Sequence, residues 1–153
     1  MSNTMIDFTD FGEVKKKLYI SCPMKGRTEE AIRHGMDRMH KLAEIVFDQE
    51  LEVISTYVKH DPPETANKAI WCLGESIKKM SEADYFIGIP FTENFYGCDI
   101  EARVARDYGI PSTYVDLEAM MPDVVEMDRK RYLDSISAEC FTGKECAPMP
   151  VCD

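Results

Sequence analysis

The chain has no apolar run approaching the ~20 residues that a membrane span requires. Its opening, MSNTMIDFTDFGEVKKK, is acidic before it is basic and lacks the apolar core of a secretion signal. A cytoplasmic protein with no membrane partner is therefore expected. Positive charge is also scarce: 18 Lys and Arg stand against 28 Asp and Glu, a net charge of −10. Polyphosphate binding draws most of its affinity from clustered cations, so a nucleic acid is not an expected partner. A small anion is a different matter, because backbone N–H groups and one or two basic side chains can hold it locally. Neither G-x-G-x-x-G nor a P-loop occurs, so the dinucleotide and triphosphate enzymes built on those motifs find no support. Internal repeats and low-complexity segments are absent as well.

CxxC pairs are missing too. Of the 6 cysteines, Cys22, Cys72 and Cys98 stand singly within α/β-type segments, and the others fall near the end, which fits free thiols in a reducing compartment. Cys140, Cys146 and Cys152 recur at six-residue intervals, but no histidine accompanies them, so they read as a thiol-bearing tail and not as a metal site. His34 and His40 fall within a helix pattern and His60 in a loop, none with the spacing of a metal site or a triad. No metal or cofactor is implied.

What is present is enough hydrophobic residue, 44% over 153 positions, for one domain with a real core. After a polar arm over 1–16, Lys17 to Ser21 reads as a strand, and Pro23 with Gly26 marks a loop. Thr28, Glu29 and Glu30 start a helix whose apolar residues keep helical spacing to Phe47. Leu51 to Ser55 alternates as a short strand, and His60-Asp61-Pro62-Pro63 forces a loop. A helix over about 65–80 follows, with Ala69, Ile70, Leu73, Ile77 and Met80 on its inner face; Trp71 and Cys72 are expected to pack. Ala83 to Ile89 is the most apolar strand and the expected centre of the sheet. A helix from about Asp99 to Tyr108 stops at Gly109, Ser112 to Val115 forms another strand, and Pro122 opens a last helix to about Ile136. The remainder, 138–153, reads as a loose tail. The whole predicts a single α/β domain over 17–137, Rossmann-like or flavodoxin-like, with a parallel sheet and helices on both faces.

Such a topology gathers three loops on one edge: Ser21 to Arg27, the segment after Val53, and Pro90 to Gly97. Glu101 follows Gly97 by four residues and is expected in the first helical turn, where free N–H groups favour an ionised carboxylate. It is a candidate nucleophile for an oxocarbenium-like carbon, or else a complement to the helix dipole. Asp84, if it starts its strand, lies far from the loop edge; Asp99 reads as an N-cap before a general acid, in competition with Cys98. The first loop offers Ser21, Lys25, Gly26 and Arg27 ahead of a helix, a cradle for an anion such as phosphate or simply a solvated loop. Tyr19, Phe91, Phe95 and Tyr96 can stack on a nucleobase, or fill a core or a subunit contact.

The segments KLYISCPMKGRTEEAI and SEADYFIGIPFTENFYGCDIEARVARDYGIP resemble the nucleoside 2-deoxyribosyltransferase-like superfamily, in particular its small bacterial and phage members with a YISGPM-type opening. The resemblance covers residues 17 to 116. It implies that Glu101, placed after Gly97, forms a glycosyl-enzyme intermediate, with Asp84 or Asp99 as the aspartate that assists the base. It further implies that Tyr19, Ser21, Met24 and Gly26 contact the sugar or its 5′ substituent, and that Lys25 and Arg27 suit the 5′-phosphate bound by related nucleotide hydrolases. Cys22 departs from the usual glycine, and the tail lacks the Tyr or Asn that transferases lend to a neighbouring subunit. Members are generally homo-oligomers. The expected activity is that of an N-glycosidic-bond enzyme, hydrolase or deoxyribosyltransferase, on a nucleoside or nucleoside 5′-monophosphate. The alternatives are a non-catalytic module that binds or senses a nucleotide, and a purely structural oligomer-forming domain.

Overall fold

The computed structural model describes residues 14–56 and 61–141, and side chains as far as 137. Four strands, β1 (Lys16–Ile20), β2 (Leu51–Val53), β3 (Tyr85–Gly88) and β4 (Ser112–Tyr114), form one all-parallel sheet in the order β2-β1-β3-β4. Helices α1 (Glu29–Phe47), α2 (Lys68–Met80), α3 (Tyr96–Asp107), α4 (Leu117–Met120) and α5 (Pro122–Phe141) complete an α/β domain. The expected class holds, and β3 lies inside the sheet. Residues 1–13, 57–60 and 142–153 lie outside the described residues, and with them most of the arm, His60, Cys146 and Cys152.

The period of two along β1 and β3 divides the core. Leu18, Ile20, Ile87 and Ile89 face Met39 and Ala43 of α1 and Met121 and Val124 near the start of α5. Tyr19 and Phe86 point the other way, onto Met80 of α2 and Ala105 of α3. Their rings stack with centroids 6.0 Å apart and planes 4° from parallel. Helices therefore cover both faces of the sheet. Each fully buried apolar side chain contributes roughly 1.5–3 kcal/mol.

Local chemistry sets most element ends. Thr28 accepts a hydrogen bond from Ala31 N at 3.1 Å, and Glu29 and Glu30 occupy the first turn of α1. Asn67 caps α2 in the same way, and Gly109, at φ +75°, provides the expected left-handed residue after α3. Three expectations shift. The last helix runs to Phe141, past the anticipated boundary at 137, because no Gly or Pro interrupts it before Gly143. The short α4 was not anticipated; Asp116 starts it by accepting from Glu118 N at 3.0 Å. Helix α3 begins at Tyr96, three residues before Asp99, because Thr92 turns the chain by accepting from Phe95 N, and Asp99 N already bonds Phe95 O.

Candidate functional site

The chain leaves β1 toward β2 on one side of the sheet and leaves β3 toward β4 on the other. The loops after β1 and β3 therefore diverge, and a crevice opens between them at the carboxyl edge. Tyr19 and Ser21, two apart, leave β1 on the same face and meet Glu101 of α3. Tyr19 Oη donates to Glu101 Oε2, and Ser21 Oγ donates to Oε1 at 2.9 Å. Both carboxylate oxygens are thus engaged, and Glu101 is only 8% exposed.

Burial pushes the Glu101 carboxyl above its ordinary value, and the two hydroxyl donors pull partly against that. Burial also raises the Tyr19 phenol, reinforced by the neighbouring Glu101 charge. Tyr19 is therefore a proton donor to Glu101 across the whole neutral range. Cys98 is pushed up to about 12, mainly by burial, and burial raises Cys22 against the opposing pull of Arg27. Both thiols stay protonated and are poor nucleophiles.

In front of Glu101 lies a cavity of about 460 Å³, within the range of small-molecule sites. Tyr19, Cys22, Met24 and Lys25 line it from the β1 side, and Tyr96, Gly97 and Cys98 from the first turn of α3. No side chain caps that turn. A Cβ on Gly97 would meet nothing within 4 Å, so the absent side chain leaves room in the cavity and is not demanded by the fold. The far wall is Ala69, Cys72, Leu73 and Ser76 of α2, joined by Thr56 from beyond β2. These four α2 residues were not foreseen as a site. Their one-sided apolar spacing reads as a core face, but α2 leans on α3 and buries only Met80, leaving Ile70 68% exposed and Cys72 open.

No family model, curated protein or solved structure matches the chain.

Several expected site residues fall elsewhere. Glu101 does not serve the helix dipole: it sits in the second turn of α3, buried and hydrogen-bonded to β1. Asp84 sits at the opposite edge of the sheet, before β3, where its carboxylate accepts from Lys17 N at 2.8 Å. Asp99 lies in the first turn of α3 as neither cap nor cavity wall. Among the described residues, Glu101 is the one carboxylate lining the cavity. The Arg27 side chain, 2% exposed, is no phosphate ligand: it grips Asp123 at 2.7 Å, Pro23 O at 2.8 Å and Ala31 O at 3.3 Å. Phe91 is 68% exposed and borders a neighbouring groove, while Phe95 and Tyr96 do line the cavity. Among the described residues, no three His, Cys, Asp or Glu side chains are grouped to hold a metal ion. No described helix is long and apolar enough to cross a membrane.

Proposed function

We propose that the protein acts on the N-glycosidic bond of a nucleoside or nucleotide, with Glu101 as nucleophile, as the resemblance to the nucleoside 2-deoxyribosyltransferase-like superfamily implies. The observation that carries this reading is the buried carboxylate, gripped through both oxygens by Tyr19 and Ser21, at the wall of the one crevice where the sheet's loops diverge. A glutamate fixed this way loses little freedom on reaching the transition state, which is what attack on an anomeric carbon rewards. Glu101 forms the bond to C1′ as the bond from C1′ to the base nitrogen breaks. The base leaves with that electron pair and takes a proton from water, since no second described carboxylate lines the cavity. Water or an incoming base then releases the sugar from Glu101.

The test is mass spectrometry of the protein mixed with deoxynucleosides and their 5′-monophosphates. Released base, a sugar adduct on the peptide bearing Glu101, and loss of at least about a thousandfold in rate for Glu101→Gln are expected. Base release that survives in Glu101→Gln refutes the assignment. A second reading, a binding or sensing module without turnover, is favoured by the lack of a second carboxylate among the described residues of the cavity and by the raised Glu101 pKa. It predicts a ligand-induced rise in melting temperature that persists in Glu101→Ala, with no base released by the wild type.

The homo-oligomer implied by the same resemblance is part of the proposal. Ile70 on α2 and Tyr108 after α3, 68% and 82% exposed, supply apolar surface for it. Sedimentation velocity is expected to show a dimer or larger species, and a monomer at all micromolar concentrations removes this element.

A further inference from the structure

Beside the Glu101 cavity runs a second groove of about 380 Å³, which shares Lys25, Asn94 and Phe95 with it and has α5 as its far wall. Three cations line the groove: Lys25 from the loop after β1, and Lys130 and Arg131 from α5. Among the described residues, Lys25 and Lys130 have no hydrogen-bond or ion-pair partner. Arg131 donates only to Asn94 Oδ1 and Glu93 O, both uncharged acceptors. One acid, Asp134, shares the groove, and Asp128 nearby accepts from Asn94 Nδ2. Three cations against one carboxylate leave a positive groove in a chain whose net charge is −10.

The backbone holds this arrangement in place. Gly26 adopts φ +76°, and a Cβ there would lie 3.0 Å from Met127 Cε, so the loop is pressed onto α5 and carries Lys25 with it. Asn94, caught between Asp128 and Arg131, ties the loop after β3 to the same helix. Cations from two distant segments are thereby brought to one groove that opens beside the catalytic candidate. Three like charges gathered around a single carboxylate repel one another, and an anionic ligand relieves that repulsion.

We propose that this groove holds the phosphate of a nucleoside 5′-monophosphate, so that Lys25, Lys130 and Arg131 select phosphorylated over unphosphorylated substrates. The assignment rests on the reading of Glu101 as the group facing the sugar, and it puts Lys130 and Arg131 in the place that Arg27, locked on Asp123, cannot take.

Calorimetric binding of the four deoxynucleoside 5′-monophosphates and their matching nucleosides tests it, with base release followed separately. The monophosphate of at least one base binds about tenfold tighter than its nucleoside at low salt, and added salt erodes the difference. Lys130→Gln weakens the monophosphate about fivefold and leaves the nucleoside unchanged, and Lys25→Gln, at the border of both cavities, weakens the monophosphate at least as much. Arg131→Lys retains most of the preference, and Arg131→Gln loses it. Lys130→Gln is the cleanest variant, since among the described residues that side chain has no partner to strand and does not line the Glu101 cavity. Equal affinity for both ligand forms, no binding of either, or a parallel loss of both in Lys130→Gln overturns the proposal. Phosphate preference without base release would leave the groove standing and sink the Glu101 reading. Base release that is equally efficient from both forms would do the reverse.

Discussion

A carboxylate inside a protein is costly in its charged form, and at Glu101 that cost meets two donors that favour the same form. Burial wins, since the folded pKa lies above the ordinary value of 4.5. Linkage then runs opposite to the usual carboxylate case. The stabilising share of Glu101 is complete below 4.5 and is lost as pH rises through its folded pKa. Glu101→Gln is accordingly expected to melt above the wild type at neutral pH, with the gap closing as pH falls toward 4.5. Nucleophilic attack needs the opposite state, so kcat/KM is expected to rise with pH along a limb centred above 4.5. Tyr19→Phe removes a donor to the charged form, a bond worth about 1.5–3 kcal/mol. Its limb should move to higher pH, with kcat/KM down at least about tenfold. A pH–rate profile whose limb stays in place would show that another group titrates. Each member of this trio was legible in the sequence as a site candidate, Glu101 after Gly97 and Tyr19 and Ser21 as expected contacts to the sugar, but not their hydrogen bonds to one another. Nor was the depth of the trio, because burial of Glu101 depends on α3 starting at Tyr96, a start set by the Thr92 turn without any side-chain cap.

At the scale of elements, the loop from Ser21 to Arg27 is braced from within. Arg27 ties the loop carbonyl Pro23 O to Ala31 O in α1 and to Asp123 at the start of α5. A cation before a helix looks the same in sequence whether it awaits a phosphate or closes a loop. Its deciding partner, Asp123, is 96 residues away. The converse holds in α5, where nothing local to Arg129-Lys130-Arg131 marks a site and only the packing of Gly26 against Met127 brings the loop beside it. The fold's alternation of strands and helices was readable because it rests on local periodicity. The roles of Arg27 and α2 were not, because they rest on contacts between remote segments. Arg27→Ala is expected to cost about 2–4 kcal/mol, chiefly through the Pro23 carbonyl, left with only the Cys22 thiol as donor, and the lost packing of a buried side chain, since Ala31 O keeps its helical partner. Asp123 is 42% exposed, and its ion pair adds little of that. Urea unfolding should show a lower midpoint at unchanged slope, with little recovery in Arg27→Lys, whose ammonium cannot span the same acceptors. A midpoint within experimental error of the wild type would refute the brace.

Across the whole molecule, the sheet separates a face that only stabilises from a face that also positions the site. Met39, fully buried, packs under the first face, away from the crevice. Phe86, equally buried, packs on the second and stacks flat against Tyr19, whose hydroxyl holds Glu101. Truncating either creates a cavity costing about 2–5 kcal/mol. At roughly 2–4 °C per kcal/mol for a chain of this size, both Phe86→Ala and Met39→Ala should lower the melting temperature by about 4–20 °C. Their effects on activity should part. Without the Phe86 ring, Tyr19 loses the surface that fixes its plane, and a misplaced donor weakens stabilisation in the transition state more than in the ground state. At 20 °C below each variant's own midpoint, base release is therefore expected to fall about tenfold or more in Phe86→Ala and less than twofold in Met39→Ala. Thermal melts paired with single-turnover rates measure both quantities. Equal activity losses in the two variants would mean that the site responds to global loosening of the sheet. A loss confined to Phe86→Ala would locate the coupling in one pair of stacked rings.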